Sequence, residues 1–306
     1  MRNIGLKRVL GVLLASLGLA GSAIAAPPKA REGTLTVAVA VADLEPIVRA
    51  VGGSQVETVN LFKGCLLRKD LLVEPAAKAR LAASTVIVWT GFLNESAAIS
   101  TALRTAGAPT PKWIDVSKGA ARTNLPTSSC GGYVDPAYAA GDPFFWLNPT
   151  NGGLMARTIA RGLGELRPAS RALFMANAEA FEKALARDIE RWKAALKPVQ
   201  GMRVFAAQCG WQNFSAAVGG PAFLSCKGTP DEPPSPQALL LHIRGMKTEL
   251  ILVDPNTPQD YIEAFREHSK LKVLEVPSSI EGLRGATTYS ALFENLVKVL
   301  QSQAKH

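Results

Sequence analysis

The chain has 306 residues, of which 47% are apolar, 19% charged and 7% aromatic. That composition excludes a disordered chain, which needs low hydrophobicity and dense charge, and four cysteines in this length exclude a disulfide-dense mini-protein. The net charge is +9, and three histidines in the whole chain, one of them the last residue, argue against a histidine-rich metal site.

The first residues read as an export signal. Arg2, Lys7 and Arg8 form a positive start, Val9 to Ala20 is apolar, and Ser22-Ala23-Ile24-Ala25 supplies the small residues a signal peptidase reads. Cleavage is expected after Ala25, since the apolar run is too short to span a bilayer. Loss of this leader removes three positive charges and leaves about +6. The expected mature protein is soluble and exported, most simply to a bacterial periplasm. Its basic residues are mixed with acids and form no run interleaved with aromatics, so nucleic acid is not an expected partner.

Leu35 to Val41 reads as a strand, Leu44 to Val51 as a helix stopped by Gly52-Gly53, and Val56 to Phe62 as a second strand. Ala76 to Ala83 is helical in composition, and Thr85 to Thr90 is a continuously apolar strand of the kind buried on both faces of a parallel sheet. Residues 117–140 are rich in Gly, Ser, Thr, Asn and Pro and read as a long loop. Gly153 to Leu166 is a predicted helix. Pro168 to about Lys197 is a longer one, with Phe174, Ala178, Phe181, Leu185, Ile189, Trp192 and Leu196 on one face. After Pro198 and Gly201 the alternation resumes. Met202 to Ala207 is a strand, Pro236 to Met246 a helix capped by Ser235, and Leu250 to Val253 a strand. Gln259 to His268 is helical, Lys272 to Val276 a strand, and Tyr289 to Gln301 a closing helix. The fold class is α/β: two α/β lobes, 26–167 and 201–306, joined by a spine helix at 168–200 and preceded by the signal peptide 1–25.

Several strings carry a resemblance. They are Ile47 to Gly53, Val73-Glu74-Pro75 followed by Ala79 to Ser84, Asp142-Pro143-Phe144-Phe145-Trp146-Leu147-Asn148-Pro149, and Ser235-Pro236 through Asp254-Pro255. In order and spacing they resemble the solute-binding proteins of bacterial zinc and manganese ABC importers, whose third string reads Asp-Pro-His-x-Trp-Leu-Asp-Pro. The resemblance implies two lobes on a rigid spine, a ligand cleft between them, and a periplasmic monomer that delivers its ligand to an inner-membrane ABC permease.

The resemblance implies a metal site that in this family is usually three histidines and a carboxylate, one from each of four loops, and none of the four matches here. The second-loop histidine falls at Phe144, the first near Leu71, the third at Gln208 just before Trp211, and the carboxylate near Ser278 with Glu275 close by. Phe and Leu have no lone pair, and Gln and Ser are weak neutral donors. His242 and His268 fall on helical segments and read as ordinary surface or core residues. Phe144 and Phe145 read as filling the lost metal cavity, or else as lining an apolar pocket. Met202 and Met246 read as core filling.

Of Cys65, Cys130, Cys209 and Cys226, at least three fall near the loops that line the family's cleft. An even count in an oxidising compartment favours two disulfides, and of the three pairings Cys65–Cys130 and Cys209–Cys226 keep each bond within one lobe. The alternative is a thiolate site that replaces the histidines and selects copper(I) or zinc. The expected function is the solute-binding component of an ABC importer for a metal ion with an altered ligand set. The alternative is a periplasmic accessory protein that kept the scaffold and lost metal binding. No nucleophile elbow, phosphate loop or zinc-protease motif occurs, so an enzyme is not expected.

Overall fold

The computed structural model describes residues 33–63, 71–91, 93–122, 143–207, 210–224 and 234–304. Two parallel four-stranded sheets organise it. The first contains β1 (Leu35–Val39), β2 (Val56–Asn60), β3 (Val86–Trp89) and β4 (Lys112–Asp115), in the order β2-β1-β3-β4. The second contains β5 (Arg203–Ala206), β6 (Ala222–Leu224), β7 (Leu250–Val253) and β8 (Lys272–Glu275), in the order β6-β5-β7-β8. The two orders are the same permutation of a four-strand unit. All pairings are parallel, so each connection must cross over, and helices make the crossovers.

In the first lobe these helices are α1 (Glu45–Gly52), α2 (Pro75–Ala82) and α3 (Leu93–Thr105), followed by α4 (Thr150–Leu166). In the second they are α6 (Trp211–Val218), α7 (Pro236–Gly245), α8 (Gln259–His268) and the closing α9 (Tyr289–Gln301). Helix α1 ends where Gly53 takes φ 56°, the left-handed stop that its glycine pair predicts. Ser235 caps α7, its hydroxyl accepting from the Ala238 N–H at 3.2 Å.

Between the lobes runs α5 (Arg171–Leu196), 26 residues long, which at 1.5 Å per residue is about 39 Å. Phe174, Ala178, Leu185, Ile189, Trp192 and Leu196 are buried along one side, with Phe181 half-buried. The helix packs on α1 and α4 of the first lobe and on α6 and α9 of the second. One apolar stripe therefore serves two lobes, and the main core runs continuously from the first sheet along α5 to the second.

Strand β7 shows how the second sheet is clad on both faces. Leu250 and Leu252 belong to the main core, whereas Ile251 and Val253 belong to a smaller cluster beneath α7 and α8. Alternation of side chains along a strand explains the split. Four elements lie outside the sequence reading: α3, β4, α6 and β6. Helix α3 is rich in Ser and Thr with a weak apolar stripe, and β4 and β6 are short edge strands. The reading of Leu35 to Val41 as strand overshoots by two residues, because the chain bends at Ala40 and Val41 ahead of the short 3-10 helix Ala42–Leu44.

Candidate functional site

In both sheets the chain leaves the first strand of the unit to one side and returns to pair on the other. This puts a topological switch point between β1 and β3 and another between β5 and β7. Ligand crevices of open parallel sheets lie at the carboxyl ends of such strands. Asp43 follows β1 and Asp254 follows β7, and both side chains are buried.

These two carboxylates grip one short segment from opposite sides. Asp254 Oδ2 accepts from the Ser278 N–H at 2.8 Å and from its hydroxyl at 2.7 Å, while Oδ1 accepts from the Asn256 N–H and side-chain amide, both at 2.9 Å. Asp43, in the other lobe, accepts through Oδ1 from the Ile280 N–H at 2.6 Å and the Ser279 hydroxyl at 3.1 Å. Its Oδ2 accepts from Trp146 Nε1–H at 3.1 Å. The segment 278–280 thus ties the floor of the second lobe to the first through side-chain and main-chain donors.

Burial pushes the Asp43 carboxyl up from 3.8 to about 6. The Ile280, Ser279 and Trp146 hydrogen bonds pull the other way without overcoming it, and the nearby Glu281 charge adds to the rise. Tyr289, fully buried beside it, is raised well above the usual phenol value by burial first and by Asp43 second. Its hydroxyl donates to the Trp146 carbonyl.

The turn that carries Phe144 is packed as core. Phe144, Phe145, Trp146 and Leu147 are all buried, and the Trp146 indole meets the two phenyl rings edge-on at centroid distances of 5.3 and 5.6 Å. The Phe144 carbonyl accepts from the buried Asn213 amide of α6 at 3.1 Å, a further link between lobes. Against the Phe144 ring lies Gly210, at φ 108°. A Cβ there would sit 2.7 Å from Phe144 Cβ and 2.6 Å from Leu147 Cδ1. Gly210→Ala is therefore expected to cost about 2–4 kcal/mol, combining left-handed strain with overpacking. Denaturant unfolding checks it, and a change under about 0.5 kcal/mol would show that the turn is loosely packed.

The other predicted site residues are placed as follows. Trp211 opens α6 and is 1% exposed, edge-on to Phe214 at 6.4 Å. Ser278 is half-buried with its hydroxyl bound to Asp254, and Glu275 is exposed at the end of β8 in register with Val253. Leu71 and Met202 pack on the main core, and Met246 on the smaller one. His242 is half-buried on α7, and burial lowers its imidazole pKa; His268 is exposed at the end of α8. Gln208, Cys65, Cys130, Cys209 and Cys226, with both expected disulfides, lie outside the described residues. Among the described residues no three His, Cys, Asp or Glu side chains group as a metal site. Sequence reasoning missed Asp43, Asn213, Ser279 and Tyr289. The one available signal was an acid just past the carboxyl end of a buried strand: Asp254 directly follows β7, and Asp43 lies four residues beyond the end of β1.

Residues 37–303 match the model of a family described as ZnuA, zinc-uptake complex component A, periplasmic. The chain belongs to the ZnuA family. It is 27% identical over 165 residues to the high-affinity zinc uptake system protein ZnuA of Brucella abortus, and equally to that of Brucella suis. These matches cover 52% of this chain and 49% of each relative, so the chain spans about half the length of the curated relatives it matches. Among solved structures, a ZnuA crystal structure superposes with a TM-score of 0.70 at 19% identity, covering 89% of this chain and all of that one. The solute-binding protein FpvC of P. aeruginosa, solved with a nickel ion, superposes at 0.66 and 17% identity, covering 88% and 94%. At these identities the superpositions establish a shared fold. Against the ZnuA ligand pattern implied by the sequence resemblance, Phe144 presents a buried hydrocarbon ring and Ser278 a hydroxyl already committed to Asp254.

Proposed function

We propose that the chain is the periplasmic solute-binding component of an ABC importer, capturing a metal ion between its lobes with a ligand set other than the imidazole set of its relatives. Membership of the ZnuA family and the paired switch-point crevices support binding between the lobes. The observation that carries the altered ligand set is the pair Phe144 and Ser278: one is packed under Gly210, and the other is bonded to Asp254. In this reading residues 1–25 are a cleaved leader, 26–167 and 201–306 are the lobes and 168–200 the spine. The protein acts as a monomer, catalyses no reaction, and docks on an inner-membrane permease.

Sulfur is the donor class that the sequence still offers. Cys65, Cys130, Cys209 and Cys226 lie in the connections that leave β2, β4, β5 and β6 at their carboxyl ends. As thiolates they would suit zinc or copper(I); as the pairs Cys65–Cys130 and Cys209–Cys226 they would bind nothing. Metal analysis of protein isolated from the periplasm without chelator, with thiol titration of the denatured, unreduced chain, separates these. Stoichiometric zinc or copper with four reactive thiols supports the sulfur set. Stoichiometric metal with no reactive thiols supports metal capture by oxygen and nitrogen donors alone. Absence of metal after exposure to zinc and copper(I) overturns metal capture. That outcome would favour a periplasmic accessory protein that kept the scaffold.

A further inference from the structure

A pocket of about 340 Å³ opens at the outer edge of the first sheet, between α3, strands β3 and β4, and the connecting segment 108–110. None of its lining residues belongs to the cleft described above. Its floor is aromatic. The register sets Ile87 beside Trp113 and Trp89 beside Asp115, so Trp89 and Trp113 rise from the same face of the sheet. The two indoles meet edge-on, with centroids 5.2 Å apart and planes at 85°. Leu103 and Ala108 extend the apolar wall, and Ser100, Thr110 and Arg104 bring polar groups to the rim.

Two features of this pocket are not explained by folding. Trp89, in the pocket wall, carries a buried Nε1–H with no hydrogen-bond partner, an uncompensated polar group. Arg104 is exposed, donates to the Thr101 hydroxyl at 3.1 Å, and forms no ion pair with an acid among the described residues. Its place in the last turn of α3 complements the helix dipole. That accounts for a cation at this position but not for the indole pair below it. Small-molecule sites combine an apolar, aromatic concavity with a few polar groups that fix orientation, and this volume lies in their range. A flat ring fits against indoles, and a carboxylate is the anion a guanidinium grips with two parallel hydrogen bonds.

We propose that this pocket binds a small planar organic carboxylate, with its ring against Trp89 and Trp113 and its carboxylate on Arg104. The site is independent of the interlobe cleft and of any metal held there. Two probes test it by titration calorimetry on the full chain: indole-3-acetate, and its uncharged counterpart indole-3-acetamide. The expected result is saturable one-to-one binding of the acetate with a Kd of about 1 mM or tighter. The amide should bind about tenfold more weakly, as should the acetate to Arg104→Gln and to Trp113→Ala. Arg104 is exposed, so Arg104→Gln keeps the test open should Trp113→Ala not fold. No saturation by about 10 mM acetate would overturn the proposal. So would equal affinity for acetate and amide, which marks an apolar slot, or unchanged binding by Arg104→Gln.

Discussion

Trp192→Ala is expected to destabilise the protein by about 3–5 kcal/mol, the range for emptying a large aromatic site in a core. Trp192 is 1% exposed and sits near the carboxyl end of the spine, where α5 meets α6 and α9. Its ring lies 5.3 Å from Phe293 and 6.0 Å from Phe214, and those two phenyl rings stack on each other at 5.3 Å and 10°. The indole nitrogen has no hydrogen-bond partner, so truncation removes packing and loses no polar contact. Trp192→Phe, which also deletes the orphan donor, should cost about half as much or less. Because the spine is shared, the loss should shift one unfolding transition rather than detach a lobe. Denaturant titration followed by fluorescence and by circular dichroism reads both quantities. A shift below about 1 kcal/mol, or transitions that separate between the probes, would contradict a spine that couples the lobes.

Asp43 gives the second large effect. Asp43→Ala leaves the Trp146, Ser279 and Ile280 donors without their acceptor and should cost about 3 kcal/mol, less than the sum of three orphaned groups because water reaches the half-buried 279–280 segment. The wild-type carboxyl also sets a pH dependence whose sign is fixed. Its folded value of about 6 lies above its ordinary 3.8, so the native state holds the proton more tightly than the unfolded chain. The stabilisation from that proton is complete below about pH 4 and is lost as pH rises through about 6. Between pH 7 and pH 5 the wild type should therefore gain about 1 kcal/mol relative to Asp43→Asn, which cannot titrate. Asp43→Asn keeps one acceptor oxygen for Ser279 and Ile280 but turns an amide donor toward Trp146 Nε1, so it should cost less than the alanine at pH 7. Stability curves at both pH values check this. A wild type that loses stability relative to Asp43→Asn on acidification would show that the hydrogen bonds, not burial, govern the carboxyl.

The parts of the fold legible in the sequence were those set by local pattern. The buried runs of β1, β3 and β7 read as parallel strands because both faces are apolar. The spine was plain because its stripe persists at helical spacing over seven turns, and α8 and α9 match their predicted limits. Edge strands β4 and β6 were missed because half their surface needs no apolar residue, and α3 because Ser and Thr dilute its stripe.

What was legible of the candidate site was the identity of the side chains at the positions the resemblance marks. That Phe144 offers no donor follows from its identity, but its seat against Gly210 depends on a φ of 108° fixed by tertiary packing. That Ser278 is bound to Asp254, and Ser279 and Ile280 to Asp43 across 236 and 237 residues of chain, is a property of long-range closure. No window of sequence contains both partners.

The most direct test of the central claim is zinc-edge X-ray absorption on full-length protein loaded with one equivalent of zinc. By the sequence resemblance Phe144 falls at the family's second-loop imidazole and Ser278 near its carboxylate, so under the proposed altered ligand set the spectrum should lack the outer-shell scattering of several bound imidazole rings. A zinc centre with three imidazole ligands would contradict the account.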